Sequence, residues 1–418
     1  MAADRLPPRL LVVSYLFPPQ PEPRAIQVGR LVSALKAETV LVCGHDPQAP
    51  RDPTVAPRAE DACRELIRVP LAQPAWQRRL LAAWARRGLP LLGQNPDRLG
   101  AWRRPALAAA LAYLEVNHFH PRALLTFAHP WSDHLVGLKL KQTLGLPWLA
   151  HFSDPWANSP FRRQDPLTRA LNRRLERRVV ETADRLLFPF PELAELVLEP
   201  YPPRVRDKVR ILPPCFDPDE YPGPLEARPD KRVLRFLGTF YGPRDPRPLL
   251  TALERLVREQ PRLVEGLQVE LIGPNPDPPP PHWGLERLPP GLVVTRPAVD
   301  HRTSLGLMQG AEALLTIDAP HMSVFPAKLA DYIGAARPIL GITPPGPSAQ
   351  VIRELGGWVA HPRHPREIQA MLADYLGRPP APSPWGEPRV RARYQARAAA
   401  RRLEELLAEL GEGGQDRP

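Results

Sequence analysis

The chain is poor in cysteine and lysine and has no long apolar run. Its three cysteines, Cys43, Cys63 and Cys215, lie far apart in 418 residues with no CxxC spacing. That pattern excludes a disulfide framework and a cysteine-rich zinc site, and it points to a reducing, cytoplasmic compartment. Only six of the 56 basic residues are lysine, while proline reaches 59 residues, against a usual share of about 5%. Heavy use of Pro, Arg, Ala and Leu together fits a codon bias. The apolar stretch Leu10–Phe17 is ended by Pro18 and Pro19, with no small-residue cleavage site behind it. A bilayer-spanning helix needs about 20 apolar residues, so this run reads as a buried strand and no membrane span is expected.

What is present is a basic, globular composition: 43% hydrophobic, 24% charged, formal net charge +11. Such a balance favours anionic partners. No zinc-finger spacing, helix-turn-helix pattern or RNP-like aromatic motif accompanies it, so nucleic acid is not among the expected partners.

Short apolar runs alternate with helical patterns, which predicts βαβ units and parallel sheets. Strands are expected at Leu10–Leu16, Thr39–Gly44, Ala123–Phe127, Pro147–His151 and Arg185–Phe188, with helices at Ala25–Ala37, Trp131–Thr143 and Pro166–Thr182. Between about 201 and 231 the pattern dissolves into prolines, which marks a linker. It then restarts with strands at Val233–Leu237, Val269–Gly273, Leu292–Val294, Ala313–Ile317 and Pro338–Ile342, and a helix at Pro246–Glu259. One helix is expected over Arg389–Leu410. The organisation is therefore an N-terminal α/β domain over 1–212, a linker over 213–230, a second α/β domain over 231–388, a crossover helix over 389–410 and a tail over 411–418. Two parallel-sheet halves of this kind predict a cleft between them, with ligands beyond the carboxyl ends of the strands.

Two segments carry candidate chemistry. Phe236–Leu250 reads as a strand, a loop bounded by Gly238 and Gly242 that holds Arg244 and Arg247, and a helix start with Asp245 at the N-cap and Pro246 at N1. Close backbone approach at Gly238, bidentate arginines and a helix N-terminus suit a phosphate, as against an ordinary βα turn with solvated arginines. Ser323–Leu340 reads as a loop, a short helix and a strand. Lys328 and Asp331, three apart, share one helix face there. A carboxylate can accept both hydroxyls of a ribose while the cation meets diphosphate charge; the plainer reading is an exposed ion pair.

Together these segments resemble the donor-binding half of family 4 retaining glycosyltransferases of the GT-B fold. Gly238-Thr239-Phe240-Tyr241 with Arg244 matches that family's loop after the first strand of the C-terminal domain, and Pro326–Ile339 matches its "P-x-K-x-x-[DE]-Y" helix. Phe17-Pro18-Pro19, Gly145-Leu146-Pro147-Trp148, His151–Trp156 and the junction Ile211–Pro218 resemble the same group. The resemblance implies two Rossmann-like domains and transfer of a sugar from a nucleoside-diphosphate donor to a glycan or lipid-linked acceptor, with retention and no metal. It implies diphosphate contacts from Arg244, Arg247 and Lys328, close approach at Gly238, and ribose contact from Asp331. It places His151 in the acceptor and sugar pocket, with Asp154, Trp156 and Arg24 as acceptor-side candidates. The family's first acidic position is Ser323 here, its glycine-rich first loop is Gln20–Arg24, and its junction asparagine is Pro214. These departures leave room for an impaired sugar-nucleotide-binding or scaffold subunit, and a sugar-nucleotide epimerase of the same fold is a further alternative.

No metal site and no cofactor beyond the donor are expected. His129 and His134 lack a third ligand at clear spacing. From Trp76 to Arg104 there are seven arginines and one acid, Asp97, with Trp76, Leu80 and Trp84 at helical spacing. That segment reads either as a surface helix or as one lying in an anionic membrane interface, which would make the protein peripheral at the inner face of the cell membrane.

Overall fold

The computed structural model describes residues 8–71, 79–80, 83, 96–160, 164–227, 231–320 and 325–412. Ser323 and most of the 76–104 segment lie outside the described residues. The chain divides into two compact units, Met1–Pro213 with Ala399–Pro418, and Pro214–Ala398.

Unit 1 holds a seven-stranded parallel sheet of β1 (Arg9–Val13), β2 (Glu38–His45), β3 (Glu65–Pro70), β4 (Ala123–Phe127), β5 (Trp148–His151), β6 (Arg185–Phe188) and β7 (Val209–Ile211). The order is β3-β2-β1-β4-β5-β6-β7, so it reverses between β1 and β4. Its helices are α1 (Pro23–Ala34), α2 (Arg103–Val116), α3 (Ser132–Leu144), α4 (Pro166–Thr182) and α5 (Pro191–Leu198). The central strands are mostly apolar, and every residue of β4 is buried, Thr126 included. A strand covered on both faces has no polar side to show.

Unit 2 holds a six-stranded parallel sheet of β8 (Arg232–Leu237), β9 (Leu267–Ile272), β10 (Val293–Arg296), β11 (Ala313–Ile317), β12 (Ile339–Ile342) and β13 (Trp358–Ala360). Its order, β10-β9-β8-β11-β12-β13, reverses between β8 and β11. The helices are α6 (Arg247–Glu259), α7 (His301–Gly310), α8 (Ala327–Ala335), α9 (Pro347–Glu354), α10 (Pro365–Leu376) and α11 (Pro388–Ala392). Inside the sheet, Arg235 on β8 and Glu270 on β9 form a fully buried ion pair at 2.7 Å. Arg235 also donates to the carbonyls of Leu307, at 2.7 Å, and Glu226, at 2.9 Å.

The proline surplus has a structural use. Proline opens α1, α4, α5, α9, α10 and α11, where its missing N–H costs nothing and its fixed φ favours the first turn. Helix α4 adds an Asp165 cap, whose Oδ1 accepts the Thr168 N–H at 2.9 Å.

The expected single helix over Arg389–Leu410 is broken. It consists of α11 and a last helix, α12 (Ala396–Glu412). The backbone between them pairs with Phe216 instead: the Phe216 N–H donates to the Tyr394 carbonyl at 2.9 Å, and the Ala396 N–H donates to the Phe216 carbonyl at 2.8 Å. From Ala399 onward α12 belongs to unit 1, where Leu403 and Leu406 are buried and Glu404 accepts the Lys36 N–H at 2.7 Å.

Candidate functional site

In an open parallel sheet the loops on either side of a reversal of strand order diverge and leave a crevice at the carboxyl ends. In unit 2 those are the loops after β8 and β11. The loop after β8 begins at Gly238, whose N–H donates to the Ile272 carbonyl at 2.9 Å. A Cβ on neighbouring Gly273 would stand 2.0 Å from the Gly238 carbonyl oxygen, so these two loops start in direct backbone contact. Phe240 stacks on Phe236 and its N–H donates to Asn275 Oδ1, which fixes the loop's course. Arg244 follows, its guanidinium over the Tyr241 ring.

Asp318, at the carboxyl end of β11, faces this arginine. Arg244 Nη2 lies 3.5 Å from Asp318 Oδ1, and the Asp318 side chain is 1% exposed. Burial pushes the Asp318 carboxyl above its usual range, while Arg244 and the hydroxyls of Thr343 and Ser348 act in the opposite direction. A cavity of about 390 Å³ opens here, lined among others by Gly242, Asp245, Arg247, Asp318, Pro320 and Arg363. Helix α6 starts at Arg247 with Pro246 as its N-cap, one residue later than the sequence pattern indicates. Asp245 still serves the helix end: its Oδ1 accepts the Arg247 N–H at 2.9 Å and its Oδ2 binds the Arg247 guanidinium. Arg247 is thereby anchored but largely exposed.

Helix α8 brings Lys328 and Asp331, Nζ to Oδ2 at 3.6 Å, with the carboxylate nearly buried and the ammonium 38% exposed. Tyr332 pins this helix to the strands. Its hydroxyl accepts the Leu237 N–H at 2.9 Å and lies 3.2 Å from the Leu315 carbonyl, touching the end of β8 and the middle of β11. Burial raises the Tyr332 phenol, and the charges of Asp331, Arg244 and Asp318 all act on it. Tyr221 fixes the helix from the other side by donating to the Asp331 carbonyl at 2.7 Å. A Cβ at Gly334 would come within 2.0 Å of the Tyr221 hydroxyl, so glycine is required there.

Arg244, Arg247, Lys328, Asp331 and Gly238 thus gather at one end of one sheet. Tyr332, the tyrosine of the helix motif, and Asp318 complete the arrangement, and Asp318 is not singled out by the sequence motifs. The available signal for Asp318 was its place, an acid directly after the apolar run Ala313–Ile317.

In unit 1 the acceptor-side candidates also cluster. Arg24, in the first turn of α1, places Nη1 3.3 Å from His151 Nδ1 at the end of β5. A guanidinium only donates, so Nδ1 is the acceptor and the ring proton sits on Nε2. Burial first, then Arg24, drives His151 well below the usual histidine range, which keeps it neutral. Burial lowers Arg24 itself to about 10, opposed by Asp154 and Asp133. Asp154 Oδ2 lies 2.6 Å from the Ser153 hydroxyl. Trp156 is wholly buried: its indole donates to Asn172 Oδ1 at 3.2 Å and stacks on Trp131, so any effect on a ligand passes through its neighbours. Beneath this group Asp133 Oδ2 accepts the Tyr15 N–H at 2.8 Å. His134 meets Thr126 at 2.7 Å and is lowered to about 3, chiefly by burial.

The sequence contains one Asp-x-Asp triplet at the junction, Asp217-Pro218-Asp219. It forms a capped turn in which Asp217 Oδ1 accepts the Asp219 N–H at 3.0 Å. Among the described residues no three His, Cys, Asp or Glu side chains form a metal-ligating group. No described helix is long and apolar enough to cross a membrane.

No protein-family model matches the chain, and no curated protein matches it by sequence. Solved structures match along nearly their whole length. A sucrose-phosphate synthase from Thermosynechococcus elongatus is 18% identical, with a TM-score of 0.66 over 97% of this chain and 100% of that one. The Anabaena protein HepE, in complex with UDP and glucose, is 11% identical, with a TM-score of 0.62 over 96% and 99%. A Listeria monocytogenes protein provisionally assigned as a UDP-N-acetylglucosamine 2-epimerase is 12% identical, with a TM-score of 0.55 over 96% of each chain. With its sheets of seven and six parallel strands, the chain has the GT-B fold of glycosyltransferases.

Proposed function

We propose that this chain is a retaining, metal-independent glycosyltransferase of the family 4 type, moving a sugar from a nucleoside-diphosphate donor to a glycan or lipid-linked acceptor. The observation that carries the reading is the unit 2 cavity, with Arg244 held against buried Asp318 at the reversal point of the strand order. HepE, a protein of the same fold, binds UDP and glucose, which supports a nucleotide-sugar donor.

The residues divide by role. Gly238 admits the diphosphate to the backbone, and Arg244 and Lys328, with Arg247 nearby, meet its charge. Asp331 holds the ribose, and the Ser323 position adjoins the transferred sugar. In the reaction the bond between the anomeric carbon and the diphosphate oxygen breaks. The acceptor oxygen bonds to that carbon on the same face, and the acceptor's proton passes to the departing diphosphate. Charge growing on the leaving group is stabilised most by cations already fixed in place. His151, neutral and tied to Arg24, positions the sugar or acceptor rather than acting as a base, with Arg24 and Asp154 beside it. The protein works in the cytoplasm, with peripheral membrane contact through 76–104.

A thermal-shift screen against UDP, GDP, ADP and their sugars tests the reading directly, because a ligand that binds only the folded state raises its stability. One diphosphate series is expected to raise Tm by several degrees, with sugar released only when an acceptor is present. No shift from any of them would reject the donor site. A sugar-nucleotide epimerase is the second reading, favoured by the Listeria neighbour; it would turn over without an acceptor. Binding without either reaction would mark a scaffold subunit. Chelation by EDTA is expected to leave transfer intact, and activity restored only by magnesium or manganese would contradict the metal-free assignment.

A further inference from the structure

Helix α4 of unit 1 has two unlike faces. Thr168, Asn172, Glu176, Val179 and Val180 are buried. The opposite face exposes Arg169, Arg173, Arg174, Arg177 and Arg178. The helix has two acids: Glu176 is turned inward, bonded to the Tyr201 hydroxyl at 2.7 Å, and Glu181 is exposed in the last turn, four residues from Arg177. Among the described residues Arg173 reaches Asn158, and the side chains of Arg169, Arg174, Arg177 and Arg178 make no hydrogen bond or ion pair. Five arginines against one exposed acid give the solvent-facing arc of the helix a positive charge that an outside anion would offset.

The same face carries two large apolar side chains in water. Leu167 is 56% exposed and Leu171, one turn on, is 39% exposed. Among the described residues, a recess of about 400 Å³ on the exposed side of the helix is lined by Pro166, Arg169, Ala170, Arg173, Arg174 and Arg177. Arginines that neutralise phosphate, together with leucines that leave water, are the two components of an interfacial helix. Arginine stems can lie along acyl chains while the guanidinium stays at headgroup level. Nucleic acid would use the charges but gains nothing from the leucines, and the face has no aromatic ring on which a base could stack.

We propose that the exposed face of α4 docks on the surface of an anionic phospholipid bilayer, with the arginines at the phosphates and Leu167 and Leu171 at the acyl boundary. Its residues are distinct from those of the 76–104 segment and of the unit 2 cavity.

Flotation of the full chain with vesicles tests it, with no donor present, so the outcome stands apart from the transferase reading. The wild type is expected to float with phosphatidylcholine vesicles containing roughly one-third phosphatidylglycerol, the charge content an electrostatic contact needs, and not with phosphatidylcholine alone. Arg174→Gln with Arg177→Gln and Arg178→Gln should lower partitioning about a hundredfold, since each arginine is worth about fivefold. Leu167→Ser with Leu171→Ser should lower it roughly tenfold. All five positions are exposed, and unchanged melting curves would confirm that the variants fold. The proposal is overturned if the wild type does not float, if it floats equally with neutral vesicles, or if the arginine variant floats unchanged. It is also overturned if the leucine change has no effect while duplex DNA strips the wild type from the vesicles.

Discussion

Arg244 Nη2 stands 3.5 Å from Asp318 Oδ1, joining the loops that follow β8 and β11. The pair sets where the arginine points, because Asp318 is buried and cannot follow a moving partner. Asp318→Asn keeps the shape and removes the charge, so Arg244 should lose its anchor. Turnover is expected to fall at least tenfold at saturating donor, with donor KM changing less. Stability should move the other way. The folded-state pKa of Asp318 is raised, so its contribution is fully present below the unfolded value of about 4 and is lost as pH rises. At neutral pH the asparagine variant should therefore melt no lower than the wild type. A variant that melts lower and turns over normally would show that the pair is structural only.

Glu176 offers a cleaner pH test. Burial raises it from 4.5 to about 7, despite hydrogen bonds from Tyr201 and the Ala157 N–H. The folded state thus holds a proton that the unfolded state releases, and stability is lost as pH climbs from about 4.5 through 7. Glu176→Gln imitates the protonated acid. Its Oε1 can keep the Ala157 N–H and its amide can donate to Tyr201, whose hydroxyl can turn to the Arg173 carbonyl at 3.3 Å. The variant should gain on the order of 2 kcal/mol at pH 8 and nothing at pH 4 in denaturant unfolding. An equal gain or loss at both values would contradict the assignment.

The ion pair between Arg235 and Glu270 governs unit 2. Arg235→Ala leaves Glu270 buried with only Arg296, 3.3 Å away, to meet it. Removing one partner of a buried pair typically costs about 3–5 kcal/mol. Arg235→Met with Glu270→Leu removes both charges and should recover most of that loss. If the double variant is no better than the single one, the hydrogen bonds to the Leu307 and Glu226 carbonyls carry the effect instead.

Much of this architecture can be read from period and composition, and the exceptions have physical causes. Strands buried on both faces, such as Ala123–Phe127 and Ala313–Ile317, are apolar runs whose limits agree to the residue. The missed strands are edges: β3 and β13 are only partly buried, and β7 spans three residues, so none leaves a strong apolar run. The break before α12 was invisible because Phe216, about 180 residues away in sequence, supplies the competing backbone partner. In the candidate site, Arg244, Lys328 and Asp331 stand in local motifs. Tyr332 stands in the same helix motif, but its hold on β8 and β11, like the contact of Asp318 with Arg244, is long-range and exists only in the fold.

The central claim is the placing of the donor in unit 2, and steady-state kinetics of Asp331→Ala, Arg244→Ala and Lys328→Ala at varied donor concentration test it most directly. Asp331 is assigned hydrogen bonds made equally in ground and transition states. Its loss should raise donor KM roughly tenfold to a hundredfold, from about 1.5–3 kcal/mol, with little change in turnover. Arg244 and Lys328 are assigned to charge that grows as the bond breaks, so each loss should depress turnover at saturating donor by about two orders of magnitude. Three variants that differ from the wild type in neither KM nor turnover would contradict the account.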